Sequence, residues 1–249
     1  MIEISNLNKN FNRGKANEVH ALKGINLSVA ANEFIVIVGS NGSGKTSLLN
    51  CLAGSILPSS GKIEISGNTV TNLPEYRRSK WIARVFQNPL SGTAPDLTIL
   101  DNFRLASLRT SSKKLQMGIN GAFRNKVREK IASLNMRLED KIDQPMGTLS
   151  GGQRQALTLL MSVMDEAHIL LLDEPTAALD PRSAETVMKT ADQLIKEYAL
   201  TAILITHNLK EAFQYGIRII QMAEGQIIKD LTAQQKSVLQ QTEIYEWFV

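Results

Sequence analysis

One cysteine, Cys51, is all the chain contains, which excludes an intramolecular disulfide and fits a reducing compartment. It falls just past a glycine-rich stretch on a helix-competent segment, where a small buried apolar residue is expected rather than a redox centre. Long hydrophobic runs are missing as well. No stretch approaches the ~18 consecutive apolar residues that span a bilayer, and the longest candidates, residues 156–164 and 169–172, are short and end in acidic residues. The opening Met1-Ile2-Glu3-Ile4 has neither the basic nor the apolar region of a secretory leader. These absences predict a cytoplasmic protein that reaches a membrane only through a partner. Nor is there a long run of one charge. Against 24 acidic residues stand 28 basic ones, and the net charge of +4 is compatible with a membrane surface or RNA while demonstrating neither; no nucleic-acid partner is expected. With 249 residues, 43% of them hydrophobic, the chain can bury one large core or a core domain carrying a smaller insert.

What is present is organised around residues 39–47, which read G-S-N-G-S-G-K-T-S. An apolar run at 34–38 precedes them and a helix-competent segment from Ser47 follows, so a buried strand turns into a helix here. This is a P-loop. Gly39, Gly42 and Gly44 permit positive φ and close backbone approach, so that consecutive N–H groups and the helix N-terminus face a phosphate. Lys45 adds a positive charge for the β and γ phosphates, and the Thr46 hydroxyl is placed to bind Mg²⁺.

Ahead of this loop, Ile2, Ile4 and Leu7 open a short strand and Leu22, Ile25, Leu27 and Val29 alternate as in a half-buried one, with a polar loop at 12–18 between them. Phe11 beside that loop either belongs to the core or stacks on a purine. His20 and His168 read as structural, and Asn32 as a turn residue tolerant of left-handed φ. After the P-loop helix come a turn at 57–61, a strand at 62–65 and a turn at 66–68; residues 76–83 predict a short basic helix and 84–87 a strand whose last residue, Gln87, stands at a hinge before Asn88-Pro89. Residues 90–146 take a helical pattern broken at 110–114 and 117–121.

Leu149-Ser150-Gly151-Gly152-Gln153 then starts a helix, with an apolar stretch at 154–164. Its serine and glycines suit a second phosphate contact, or serve only as an N-cap and flexible entry. The apolar run 169–172 ends in Asp173 and Glu174, where ligands of parallel α/β sheets bind; Asp173 can hold Mg²⁺ through water and Glu174 can orient or deprotonate an attacking water. Asp180 is the expected N-cap of the next helix, a buried strand at 201–206 ends on His207, and a hairpin is predicted around Glu224-Gly225. The apolar tail, residues 244–249, is expected to pack on its own domain.

Five sites in this order, the P-loop, Gln87, L-S-G-G-Q, Asp173-Glu174 and His207, resemble the nucleotide-binding subunit of an ABC transporter over nearly the whole chain. The resemblance implies an α/β fold, a P-loop NTPase core of RecA type with an appended antiparallel β-sheet and an inserted α-helical subdomain. Within one ABC ATPase domain, 1–249, residues 1–87 and 165–249 would form the core with its β part and 88–164 the helical part. It implies ATP and Mg²⁺ as cofactors, with ATP contacts from Phe11, stacked on adenine, and from Gly39, Ser40, Asn41, Gly42, Ser43, Gly44, Lys45, Thr46 and Ser47. Metal contacts fall to Thr46, Gln87 and Asp173, catalysis to Glu174, His207 and Gln87, and the D-loop position to Asp180. Leu149, Ser150, Gly151, Gly152 and Gln153 would act in trans, closing over the P-loop of a second ATPase subunit. Ser40 stands where the family often has Pro, and Ala177 where it often has Ser; neither change removes a reacting group.

The implied partners are that second ATPase subunit, a homodimer being expected, and integral membrane permease subunits, with the chain peripheral on the cytoplasmic face of the inner membrane. Residues 86–95 and the R-Q-A-L at 154–157 are similar to bacterial ATPases that work with periplasmic substrate-binding proteins, suggesting import of an amino acid or similar solute. The loop at 12–18 also resembles lipoprotein-release and peptide-efflux ATPases, which keeps export as the alternative. A soluble, non-transport ABC ATPase is a further reading, disfavoured by the intact L-S-G-G-Q in a single-domain chain; a P-loop nucleotide kinase would have no use for that motif.

Overall fold

The computed structural model describes residues 1–109, 118–165, 167–240 and 243. In chain order its elements are β1 (Ile2–Phe11), β2 (Val19–Val29), β3 (Phe34–Val38), α1 (Lys45–Ala53), β4 (Ser60–Ile65), β5 (Asn68–Thr69), α2 (Glu75–Arg78), β6 (Ile82–Val85), α3 (Ile99–Ala106) and α4 (Gly121–Ala132). They continue as α5 (Gly151–Ser162), β7 (Ile169–Asp173), α6 (Pro181–Glu197), β8 (Thr201–Ile205), α7 (Leu209–Gln214), β9 (Arg218–Ala223), β10 (Gln226–Leu231) and α8 (Ala233–Val238).

The strands fall into two sheets, a four-stranded antiparallel one ordered β2-β1-β4-β5 and a six-stranded one ordered β10-β9-β3-β8-β7-β6. In the second, β6 to β9 and β3 run parallel, and only the β10 edge returns antiparallel. β3, β7 and β8 are buried at every position, because a parallel strand covered on both faces shows both faces to a core. The pleat sends alternate residues to different cores. Phe34, Val36, Leu170, Leu172 and Leu204 pack with Phe103, Val127, Leu157 and Val187 of the helices. Ile35, Ile37, Leu171, Ile203 and Ile205 pack with Leu48, Leu49 and Cys51 of α1 and with Ile2, Ile4 and Ile63 of the antiparallel sheet. Each such side chain contributes ~1.5–3 kcal/mol by leaving water, so the parallel strands are fixed from both sides and their carboxyl ends can carry polar groups.

Several elements differ from their predicted bounds. β1 reaches Phe11, α5 begins at Gly151 and closes at Ser162, and among the described residues of 90–146 the helical pattern comprises α3 and α4 with two 3-10 turns, Glu139–Lys141 and Met146–Thr148. The predicted basic helix at 76–83 is helical only over Glu75–Arg78, and Ile82 and Ala83 instead pair with Ile169 and Leu170 as β6. Arg78 explains the early stop. Its guanidinium is fully buried and donates to the carbonyls of Leu73, Cys51, Leu52 and Thr71 at 2.7–2.9 Å, tying the turn to the end of α1. β6 ends at Val85, so Phe86 and Gln87 lie past the strand. Asn32 does take a left-handed turn (φ 61), and the β9–β10 hairpin turns through Glu224 and Gly225 as predicted. The interruption predicted at 110–114 and the tail at 244–249 lie outside the described residues. Among the described residues no helix is long and apolar enough to cross a membrane.

Candidate functional site

β3 delivers the chain into the P-loop, and two glycines there are enforced by space. A Cβ on Gly39 (φ 151) would stand 2.1 Å from the Met222 carbonyl oxygen, and one on Gly44 (φ 100) 2.5 Å from that of Ala21. Gly44 is the N-cap of α1, in the left-handed region and without a side chain to cap the helix. Lys45 follows, only 5% exposed, and its Nζ donates to the carbonyls of Gly39 at 2.8 Å and Ser40 at 2.9 Å. Burial pushes its pKa below the usual lysine value, opposed by the charges of Glu174 and Asp173. A cationic group is thus held at the mouth of an uncapped helix.

Beside it lies a cavity of about 510 Å³ lined by Asn41, Gly42, Gly44, Lys45, Thr46 and Ser47, by Phe11, Val19, His20, Ala21 and Lys23 of the β1–β2 hairpin, and by Glu174 and Glu224. Phe11 is therefore on the cavity wall and half-buried, with Lys9 Nζ 5.0 Å from its ring centroid, and not part of the core. His20, read from sequence as structural, is exposed on the same wall. Pairing of the strands that flank the loop at 12–18, Phe11 opposite Val19, is the signal that would have predicted this wall.

Asp173 ends β7, and its Oδ2 accepts a hydrogen bond from Arg84 Nη2 at 2.6 Å, both side chains being about one-tenth exposed. Nothing in the sequence announces that ion pair, because its partners are 89 residues apart. Glu174 has φ 46, a conformation costing on the order of 1–3 kcal/mol that the Ile205 carbonyl helps to hold by accepting its N–H at 3.0 Å. The turn places Glu174 Oε2 3.0 Å from His207 Nδ1. Glu174 also lines a second cavity of about 590 Å³ with His207, Thr176, Leu179, Arg182 and Tyr215. Ser40, Gln87 and Asp180 line neither cavity, although Ser40 orients Lys45. Asp180 caps α6 by accepting from the N–H groups of Arg182 and Ser183, and its hydrogen bonds with Ser183 hold its carboxyl below the usual range.

Thr46 lines the P-loop cavity, and Asp173, its Oδ2 held by Arg84, is close enough to Lys45 to act on its charge; a hydroxyl and a carboxylate are oxygen donors of the kind that suit Mg²⁺, which takes most of its ligands from phosphates and water. The signature residues sit elsewhere. Ser150 caps α5, accepting from the Gln153 N–H at 3.3 Å while its own N–H donates to Gln153 Oε1 at 3.2 Å. A Cβ on Gly152 would lie 2.6 Å from Ser183 Cβ, so α5 packs closely on α6. Arg154 fixes the turn by donating to the carbonyls of Met146, Gly147 and Leu149. None of residues 149–153 lines either cavity. Phe11, Lys45, Thr46 and Glu174 share one cavity, Asp173 lies near enough to act on the charge of Lys45, and His207 joins through Glu174 from the second cavity; the signature turn is outside that group.

The family model described as ABC transporter matches residues 22–177. The chain belongs to the ABC transporter family, as an ATP-binding subunit. This ATPase is 37% identical over 248 residues to a tyrosine transport ATP-binding protein of Clostridioides difficile (strain R20291), covering 100% of this chain and 98% of that one. It is 32% identical to the pyoverdine export ATP-binding/permease protein PvdT of Pseudomonas fluorescens (strain Pf0-1), covering 96% of this chain but 35% of that one. Among solved structures, the dimeric post-hydrolysis state of the ATP-binding cassette MJ0796 bound to ADP and Pi superposes with a TM-score of 0.79 at 28% identity, covering 94% of this chain and 99% of that one. The fold is that of an ABC cassette and the activity is ATP hydrolysis; relatives named for transport and for export leave direction and substrate open.

Proposed function

We propose that two copies of this ATPase clasp two ATP molecules between them and spend the hydrolysis energy on moving a solute through separate permease subunits. The observation that carries the reading is the separation just described: Lys45 and Glu174 line the P-loop cavity, with His207 against Glu174 from the neighbouring one, while the signature turn stays against α6. A second chain would supply Leu149, Ser150, Gly151, Gly152 and Gln153 to the open side. Phe11 stacks on the adenine, residues 39–47 hold the phosphates, and Lys45 turns from its own carbonyls to the β and γ oxygens. Mg²⁺ bound through Thr46 and Asp173, with Gln87 at the hinge, would neutralise phosphate charge. Glu174 takes a proton from water as its oxygen attacks the γ-phosphorus and the bond to the β-phosphate oxygen breaks; His207 keeps Glu174 aimed. The core of 1–87 and 165–249 is the motor, and 88–164, reached through Gln87, passes its closure to the permease on the cytoplasmic face of the membrane.

Import of an amino acid or a similar solute, with a periplasmic binding protein, is the direction we favour. The relative named for tyrosine transport matches along its whole length, whereas the export relative is a much longer chain. Glu174→Gln tests the core of the reading: turnover should fall by ~10²–10⁴-fold while Mg²⁺-ATP converts the protein to a stable two-chain species on size exclusion. A variant that stays monomeric and hydrolyses ATP at the wild-type rate would sink it. Retention of an integral membrane protein in detergent then tests the coupling, and uptake against efflux in vesicles tests the direction.

A further inference from the structure

Glu211 lies on α7, four residues past His207 and outside every motif named above. It is 6% exposed, yet no cation pairs with it among the described residues. Its Oε1 accepts from the Thr176 hydroxyl and its Oε2 from the Thr206 hydroxyl, each at 2.6 Å. Thr176 stands two residues after Glu174, and Thr206 directly before His207. Each hydroxyl has its own carboxyl oxygen to donate to, so one side chain holds both threonines at once. A buried carboxylate is costly, so its two bonds matter to the fold around it.

The place of the bridge is informative. The ladder between β7 and β8 runs out at Asp173 opposite Ile205, and the Glu174 N–H to the Ile205 carbonyl is the last backbone rung. Past it no backbone hydrogen bond joins the segments carrying Glu174 and His207 among the described residues, and Glu211 ties them together through side chains. Thr206 Oγ1 also accepts from the Asn208 N–H at 3.0 Å, and Asn208 caps the same helix that carries Glu211. We propose that Glu211 is a positioning residue for hydrolysis: through Thr176 and Thr206 it sets the 3.0 Å approach of His207 to Glu174. This rests on the roles given to those two residues under the proposed function.

Steady-state ATPase assays and melting temperatures on Glu211→Ala, Glu211→Gln, Thr206→Val and Thr206→Ser test it, with Glu174→Gln as control. Glu211→Ala and Thr206→Val should lower kcat about 10-fold or more with KM for ATP within about twofold, and Thr206→Ser, which keeps the hydroxyl, should restore most of the rate. Three histidines make the imidazole NMR spectrum readable. The His207 signal, identified by its loss in His207→Ala, should move in Glu211→Ala while those of His20 and His168 stay. Wild-type kcat in Glu211→Ala, or in Glu211→Gln and Thr206→Val should the alanine variant not fold, overturns the proposal. So does a kcat loss that Thr206→Ser fails to rescue, or an unmoved His207 signal. If Glu174→Gln itself turns over normally, the reading of the site fails and this proposal goes with it; if Glu174→Gln is inactive and the Glu211 set is not impaired, only this proposal fails.

Discussion

The N-termini of α1 and α5 are chemically alike in sequence, each entered through serine and glycine, and opposite in structure. α1 starts at a left-handed glycine with no side-chain cap, although the other described α-helices of eight residues or more, α3 to α6, have one from Thr98, Asn120, Ser150 and Asp180. α5 closes on itself through Ser150 and Gln153. Helix starts leave N–H groups to be satisfied by side chains, water or ligands. The α1 terminus is left for a ligand, with Lys45 beside it, whereas the α5 terminus is stable alone and would meet a phosphate only by giving up its long, weak internal bonds.

The largest expected effect lies at the open terminus. Lys45→Ala removes a charged donor worth ~1.5–3 kcal/mol, so ATP affinity by fluorescence titration should fall about 10- to 100-fold, while the melting temperature without nucleotide holds or rises because a buried ammonium has gone. A large loss of stability would mean that Lys45 is scaffold and the two termini are not opposites. Ser150→Ala should act the other way round, costing ~1 kcal/mol of stability as a lost cap. It should leave ATP binding to the single chain unchanged and weaken only ATP-driven association, read by light scattering; weaker ATP binding to the monomer would break the contrast.

A separate comparison is with a second buried lysine, which among the described residues has no carboxylate to oppose its burial. Lys236 on α8 donates to the carbonyls of Tyr215 and Gly216, and burial lowers its pKa to about 8. Between that value and the unfolded 10.5 the unfolded chain holds more protons, so this lysine makes stability rise with pH across that window. Urea midpoints at pH 7.5 and 10 should show the rise, and Lys236→Met should flatten it.

Much of this was legible in the residues because the deciding forces are local or repetitive. β3, β7 and β8 read directly as strands, since burial on both faces removes polar residues from the run. Asp180 reads as a cap because capping acts over three residues, and for Ser150 the cap is one of the two readings the residues leave open. Residues 76–83 misled, because charges at helical spacing look the same whether they face water or, like Arg78, are swallowed by four carbonyls. The Arg84–Asp173 pair and the Glu211 bridge were invisible for a different reason: they exist only once distant strand ends are neighbours.

The buried sulfur has a practical corollary. Cys51 is fully enclosed and its thiol is pushed up to about 11, so maleimides at neutral pH should pass it by. The natural sequence thus already serves as a blank background for spectroscopy, and a fluorophore or spin label on a cysteine added at the signature turn would report its distance to the opposing subunit through a turnover cycle.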